Sequence, residues 1–80
     1  MDPAGDGTVR SLAAAEAGRE YEVERILFDS ARELCADLGV HEGDRVTCRG
    51  SGSEVLVLEN AAGRVVVLAS DWARWVQVRG

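Results

Sequence analysis

The chain has 80 residues and a mass of 8.6 kDa, which allows one domain and excludes folds that need about 200 residues or more, such as a β/α barrel. Hydrophobic residues make up 46% and charged residues 29%, the balance of a folded domain and not of a disordered one. The formal charge is −5, with 14 acidic residues against 9 basic ones, and no stretch of about 18 apolar residues offers a transmembrane helix.

Lysine is absent, so every basic side chain is arginine. Residues 1–24 hold 2 arginines and 6 acids, residues 25–50 hold 4 and 5, and residues 51–80 hold 3 of each. Such a chain has no basic stripe to neutralise phosphates, so neither nucleic acid nor an anionic membrane is expected as a partner. Residues 1–10 are rich in Gly and Asp and contain the one Pro. They predict a flexible tail before a domain over residues 11–80. Met1–Gly7 is acidic with no apolar run behind it, so a secretory leader is not expected. Two cysteines are too few for a disulfide framework. These features predict a cytoplasmic protein with reduced thiols.

Ser11–Gly18 favours a helix by propensity, but it is short and Gly18 ends it after a turn or two. In Glu20–Leu27, Tyr21 and Val23 fall on one face and Glu20, Glu22 and Glu24 on the other, the period of a half-buried strand. Asp29 and Ser30 offer an N-cap. Ala31, Leu34, Cys35 and Leu38 then form one helical stripe, closed by Gly39. His41–Asp44 predicts a turn and Arg45–Arg49 a strand. Gly50–Ser53 reads as a loop. Glu54–Glu59 and Arg64–Ala69 read as a hairpin around Asn60–Gly63. Ser70–Arg74 predicts a single helical turn and Trp75–Arg79 a closing strand. Five short strands in so few residues close most economically into a small, partly open barrel. The fold class expected is therefore mainly β: a five-stranded barrel with one short α-helix after its first strand.

The stretch Ala31–Val46 resembles a family signature. It combines an Arg- and Leu-containing helix, the Leu38-Gly39-Val40 end, two further residues, and Gly43-Asp44-Arg45-Val46. Ala73-x-x-Val76-x-Val78 is similar to the closing strand of that family, and Leu12 and Gly18 to its opening. The family is the ferrous iron transport protein A (FeoA) domain, an SH3-like barrel. Two features depart from its pattern: Gly50–Ser53 stands where the family often has a basic, Pro-containing segment, and the acidic balance is unusual. The resemblance implies a non-enzymatic accessory of bacterial ferrous iron uptake. Its implied partner is the large membrane iron transporter with a cytosolic GTP-hydrolysing domain. A similar SH3-like domain ends the metal-dependent repressors of the diphtheria toxin repressor type, which leaves a metal-binding or regulatory domain of a transcriptional or nucleic-acid-associated system as the alternative.

No residue pattern points to catalysis. The Gly-rich phosphate motifs are absent and His41 is the only histidine. No cofactor is expected. Cys35, Cys48, His41 and Asp44 are the candidate metal ligands, but none shares a CxxC or HxxxH spacing. Cys35 belongs to the apolar stripe, Cys48 is read as partly exposed, and only a metal held between two copies through His41 or Cys48 is left open. The informative excess is apolar. Val55, Leu56, Val57 and Leu58 make both faces of one strand hydrophobic, and Val65–Leu68 do so for its partner. A second apolar surface is therefore expected, with Leu56, Leu58, Trp72 and Trp75 as candidate partner-binding or self-association residues. The competing expectation is that Leu12, Phe28 and the helix cover it.

Overall fold

Every stretch read as a strand forms one, and the chain adds a strand that its pattern did not announce. The computed structural model describes residues 9–80. Its elements are β1 (Val9–Ser11), a 3-10 turn (Leu12–Ala14), β2 (Glu20–Ile26), α1 (Asp29–Asp37), β3 (Arg45–Ser51), β4 (Val55–Glu59), β5 (Val65–Ala69), α2 (Ser70–Ala73) and β6 (Val76–Arg79). All strand pairs are antiparallel, in the order β1-β6-β2-β3-β4-β5. The sheet is not closed, so β1 and β5 are its two edges. It has six strands where five were expected. The added strand reaches back to Val9 and Arg10, which the sequence had assigned to the tail; the rest of that tail lies outside the described residues.

β2 shows how side-chain period and register combine. Tyr21, Val23 and Ile26 are buried while Glu20, Glu22, Glu24 and Arg25 face out. The interval from Val23 to Ile26 is three residues, because the register with β6 shifts between Val23 and Arg25. A bulge of this kind re-aims the strand and restores an apolar residue to the core. Across the sheet, Arg45 pairs with Glu20 at 3.2 Å and Arg79 with Glu24 at 3.0 Å. Such exposed pairs contribute at most about 1 kcal/mol each. The buried Tyr21 hydroxyl accepts the Glu16 backbone N–H at 2.9 Å, so no polar atom is stranded there.

α1 starts at Asp29 behind an extended Phe28, which supplies no side-chain cap; the expected Asp29–Ser30 cap is the helix's own first turn. Ala31 and Cys35 are fully buried, and Leu34 and Leu38 lean on the core from its margin. The helix ends in a Schellman motif. The Gly39 N–H donates to the Ala36 carbonyl at 2.9 Å and the Val40 N–H to the Cys35 carbonyl at 2.8 Å, with Gly39 at φ +77°.

β4 and β5 pair without interruption, Leu56 opposite Leu68 and Leu58 opposite Val66. These four side chains join Leu12, Tyr21, Val46, Cys48, Val76 and Val78 in one core. Each fully buried Leu contributes about 1.5–3 kcal/mol of apolar transfer. β3 runs on through Gly50 and Ser51, so part of the expected loop is strand. Among the described residues, no helix is long and apolar enough to cross a membrane.

Candidate interaction surfaces

The hairpin decides which apolar side chains are available to a partner. Asn60 opens the turn, its N–H donating to the Arg64 carbonyl at 2.8 Å. Its side chain, almost fully buried, accepts from the backbone N–H groups of Ala62 and Arg64 at 3.0 and 2.9 Å, and donates to the Leu38 carbonyl at 2.9 Å. The turn is thereby locked to the end of α1, and this fixes the phase of both strands. Even-numbered side chains from Leu56 to Leu58 and from Val66 to Leu68 point inward, odd-numbered ones outward.

The expectation for Leu56 and Leu58 is therefore corrected. They are 1% and 0% exposed, and offer no surface to a partner. The outward residues are Val65 at 58%, Val67 at 57% and, beside them, Val55, with Val57 half-buried. Period two alone could not choose between two apolar faces. The usable signal was side-chain size: both leucines of β4 and the one of β5 share a phase, and the larger side chain gains more from burial.

Trp72 and Trp75 do reach the surface, Trp72 at 37% and Trp75 half-buried. The Trp75 N–H donates to the Trp72 carbonyl at 3.0 Å, and the Trp75 carbonyl accepts the Leu27 N–H at 3.0 Å. That second bond brings Phe28 edge-on to the Trp75 ring, 4.9 Å between centroids at 85°. The Arg74 guanidinium carbon lies 5.1 Å from the Trp75 ring centroid. Phe28 is 50% exposed, so it belongs to the surface patch and does not bury it. Leu12, by contrast, is fully buried. The sequence missed Phe28 as a member of this patch because its neighbours are chosen by the backbone bond between Trp75, just before β6, and Leu27 in the β2–α1 link.

Arg32 anchors the α1 side of this region. It donates to the Ile26 carbonyl and to Asp29 at 2.8 Å each, and meets Glu42 at 3.4 Å. Glu42 accepts the Ile26 N–H at 2.9 Å. That backbone bond, above all, holds its carboxyl below the usual carboxylate range; slight desolvation opposes the shift, and Arg32 adds to it.

The metal candidates separate. Cys48 is buried beside Val46, because residues two apart in a strand share a face; the expected partial exposure is corrected. Cys35 is buried under α1, and burial pushes its thiol pKa up. Exposed His41 meets Asp44 at 3.4 Å. Among the described residues, no three His, Cys, Asp or Glu side chains come together. A shallow hollow of about 430 Å³ lies between the α1 end and the hairpin turn, lined in part by Asp37, His41, Asp44, Asn60 and Arg64. It is open and carries both signs of charge.

An open antiparallel sheet of six strands, with α1 between β2 and β3, is an SH3-like fold. No protein-family model matches the chain, and no curated protein matches its sequence. Solved structures do. The crystal structure of an iron uptake regulatory protein (FeoA) superposes with a TM-score of 0.83 at 22% identity, covering 90% of this chain and 97% of that one. An FeoA-like protein from Clostridium acetobutylicum gives 0.78 at 19%, covering 89% and 85%. A manganese-dependent transcriptional repressor gives 0.82 at 19%, covering 92% of this chain but 42% of its own. The fold is thus that of FeoA proteins and of one part of metal-dependent repressors.

Proposed function

We propose that this protein is a cytoplasmic, non-enzymatic accessory of bacterial ferrous iron uptake that docks on the cytosolic part of a membrane iron transporter carrying a G-domain. One observation carries the reading: an FeoA chain is matched over 97% of its length, whereas the repressor match leaves more than half of that protein uncovered. Exposed Phe28, edge-on to half-buried Trp75, and exposed Trp72 nearby in the chain offer aromatic surface that suits docking, since aromatic side chains dominate the energetics of protein interfaces. The test is co-purification of the full chain with the cytosolic portion of such a transporter, followed by titration calorimetry. Binding should fall at least tenfold in Trp72→Ser with the melting temperature held. No association of the native chain overturns the reading.

A second reading rests on the repressor likeness, whose TM-score of 0.82 nearly equals that of FeoA. In it the domain regulates a metal-responsive transcriptional system. Stoichiometric binding of manganese or ferrous iron, or a salt-sensitive shift of DNA by the purified chain, would favour this alternative.

A further inference from the structure

We propose that two copies of this chain pair through β5 in antiparallel fashion about a two-fold axis at Val67. β5 is an edge strand. The Arg64 carbonyl accepts from the Asn60 N–H, and the Ser70 N–H donates to the Glu54 carbonyl, both at 2.8 Å. Even-numbered residues therefore carry the ladder to β4, and by alternation the backbone groups of Val65, Val67 and Ala69 point away from the sheet. Natural edges are blunted by proline, charge, bulges or short length. Within Val65–Ala69 there is no proline and no charge, and its register with β4 is unbroken. The opposite edge, β1, has only three residues and includes Arg10.

Self-pairing uses all three outward positions at once. Val67 lies opposite Val67 of the second copy, and Val65 opposite Ala69, in both directions. Cross-strand apolar pairs of this kind stabilise a ladder, and here they are exposed in the single chain. The ends are complementary in charge. Arg64 precedes β5 and Asp71 follows it, and the same register sets Arg64 opposite Ser70 of the second copy, next to its Asp71. Arg64 Nη2 donates to the Asp37 carbonyl at 3.2 Å, but neither Arg64 nor Asp71 forms an ion pair among the described residues, so both charges are left for a second copy. A parallel arrangement sets Arg64 beside Arg64 and loses this match.

The test uses this chain alone, so its outcome is independent of transporter docking. In sedimentation equilibrium from about 10 μM to about 1 mM, the range of modest interfaces, the apparent mass should climb from 8.6 kDa toward twice that value. Val67→Lys places like charges face to face and should remain monomeric at every concentration, with its melting temperature held because the position is exposed. Arg64→Asp and Asp71→Arg should each weaken self-association at least tenfold, while an equimolar mixture of the two recovers it as a mixed dimer. A native chain that stays monomeric overturns the proposal. So does a Val67→Lys variant that dimerises as well as the native chain, or a mixture no tighter than either variant.

Discussion

Asn60 joins two elements with one buried amide. Replacing it by Ala leaves the Leu38 carbonyl and two backbone N–H groups without their partners. A stranded buried group costs about 1–3 kcal/mol, so urea unfolding of Asn60→Ala should show a loss of about 2–3 kcal/mol. Gly39 meets the same amide from the other side. A Cβ there would lie 2.5 Å from Asn60 Nδ2, at a backbone angle of +77°, so Gly39→Ala should be destabilising as well. Glu42 gives a pH signature. Its ionised form is favoured by folding, so its stabilising effect is complete above the ordinary carboxylate pKa and is lost as pH falls through the lowered folded value. Glu42→Gln should therefore melt below the native chain at neutral pH, and the gap should close in acid. A gap that persists in acid would assign the effect to packing.

The hairpin of β4 and β5 separates the two roles its valines and leucines can play. Leu58→Ala removes a fully buried side chain and should cost about 2–5 kcal/mol. Val65→Thr changes an outward side chain and should stay within about 0.5 kcal/mol. Chemical denaturation of both variants checks the assignment, and equal losses would mean that both faces are packed. At this scale the sequence was legible wherever one face was polar. The glutamates of β2 announced its phase, and the stripe of α1 ended at Gly39 as its spacing required. It was illegible where both faces were apolar. In Val55–Leu58 the period says nothing of which side is inside and only the larger size of the leucines hints at it; the Asn60 amide and the α1 terminus, which meet only in the folded chain, hold that phase in place. The β2 bulge and the shared face of Val46 and Cys48 likewise belong to pairing, not to composition.

The whole molecule has one core spanning the sheet and α1, and its two free thiols sit in different elements of it, Cys35 in α1 and Cys48 in β3. If unfolding is a single cooperative event, iodoacetamide should leave both untouched in the native protein, and their modification rates should rise together as denaturant is added. Earlier reaction of Cys35 would show that α1 detaches before the sheet opens. The one strand that sequence did not disclose, β1, is also a whole-molecule effect: Val9–Ser11 has no period of its own and exists because β6 offers it a partner. β6 in turn lies between β1 and β2, with Arg79 opposite both Val9 and Glu22. The segment translated last in this domain is thus the wedge that unites the two translated first. A ribosome must release Val76–Arg79 before β1 has anything to hold, so the nascent domain waits, unfinished, until its final strand clears the exit tunnel.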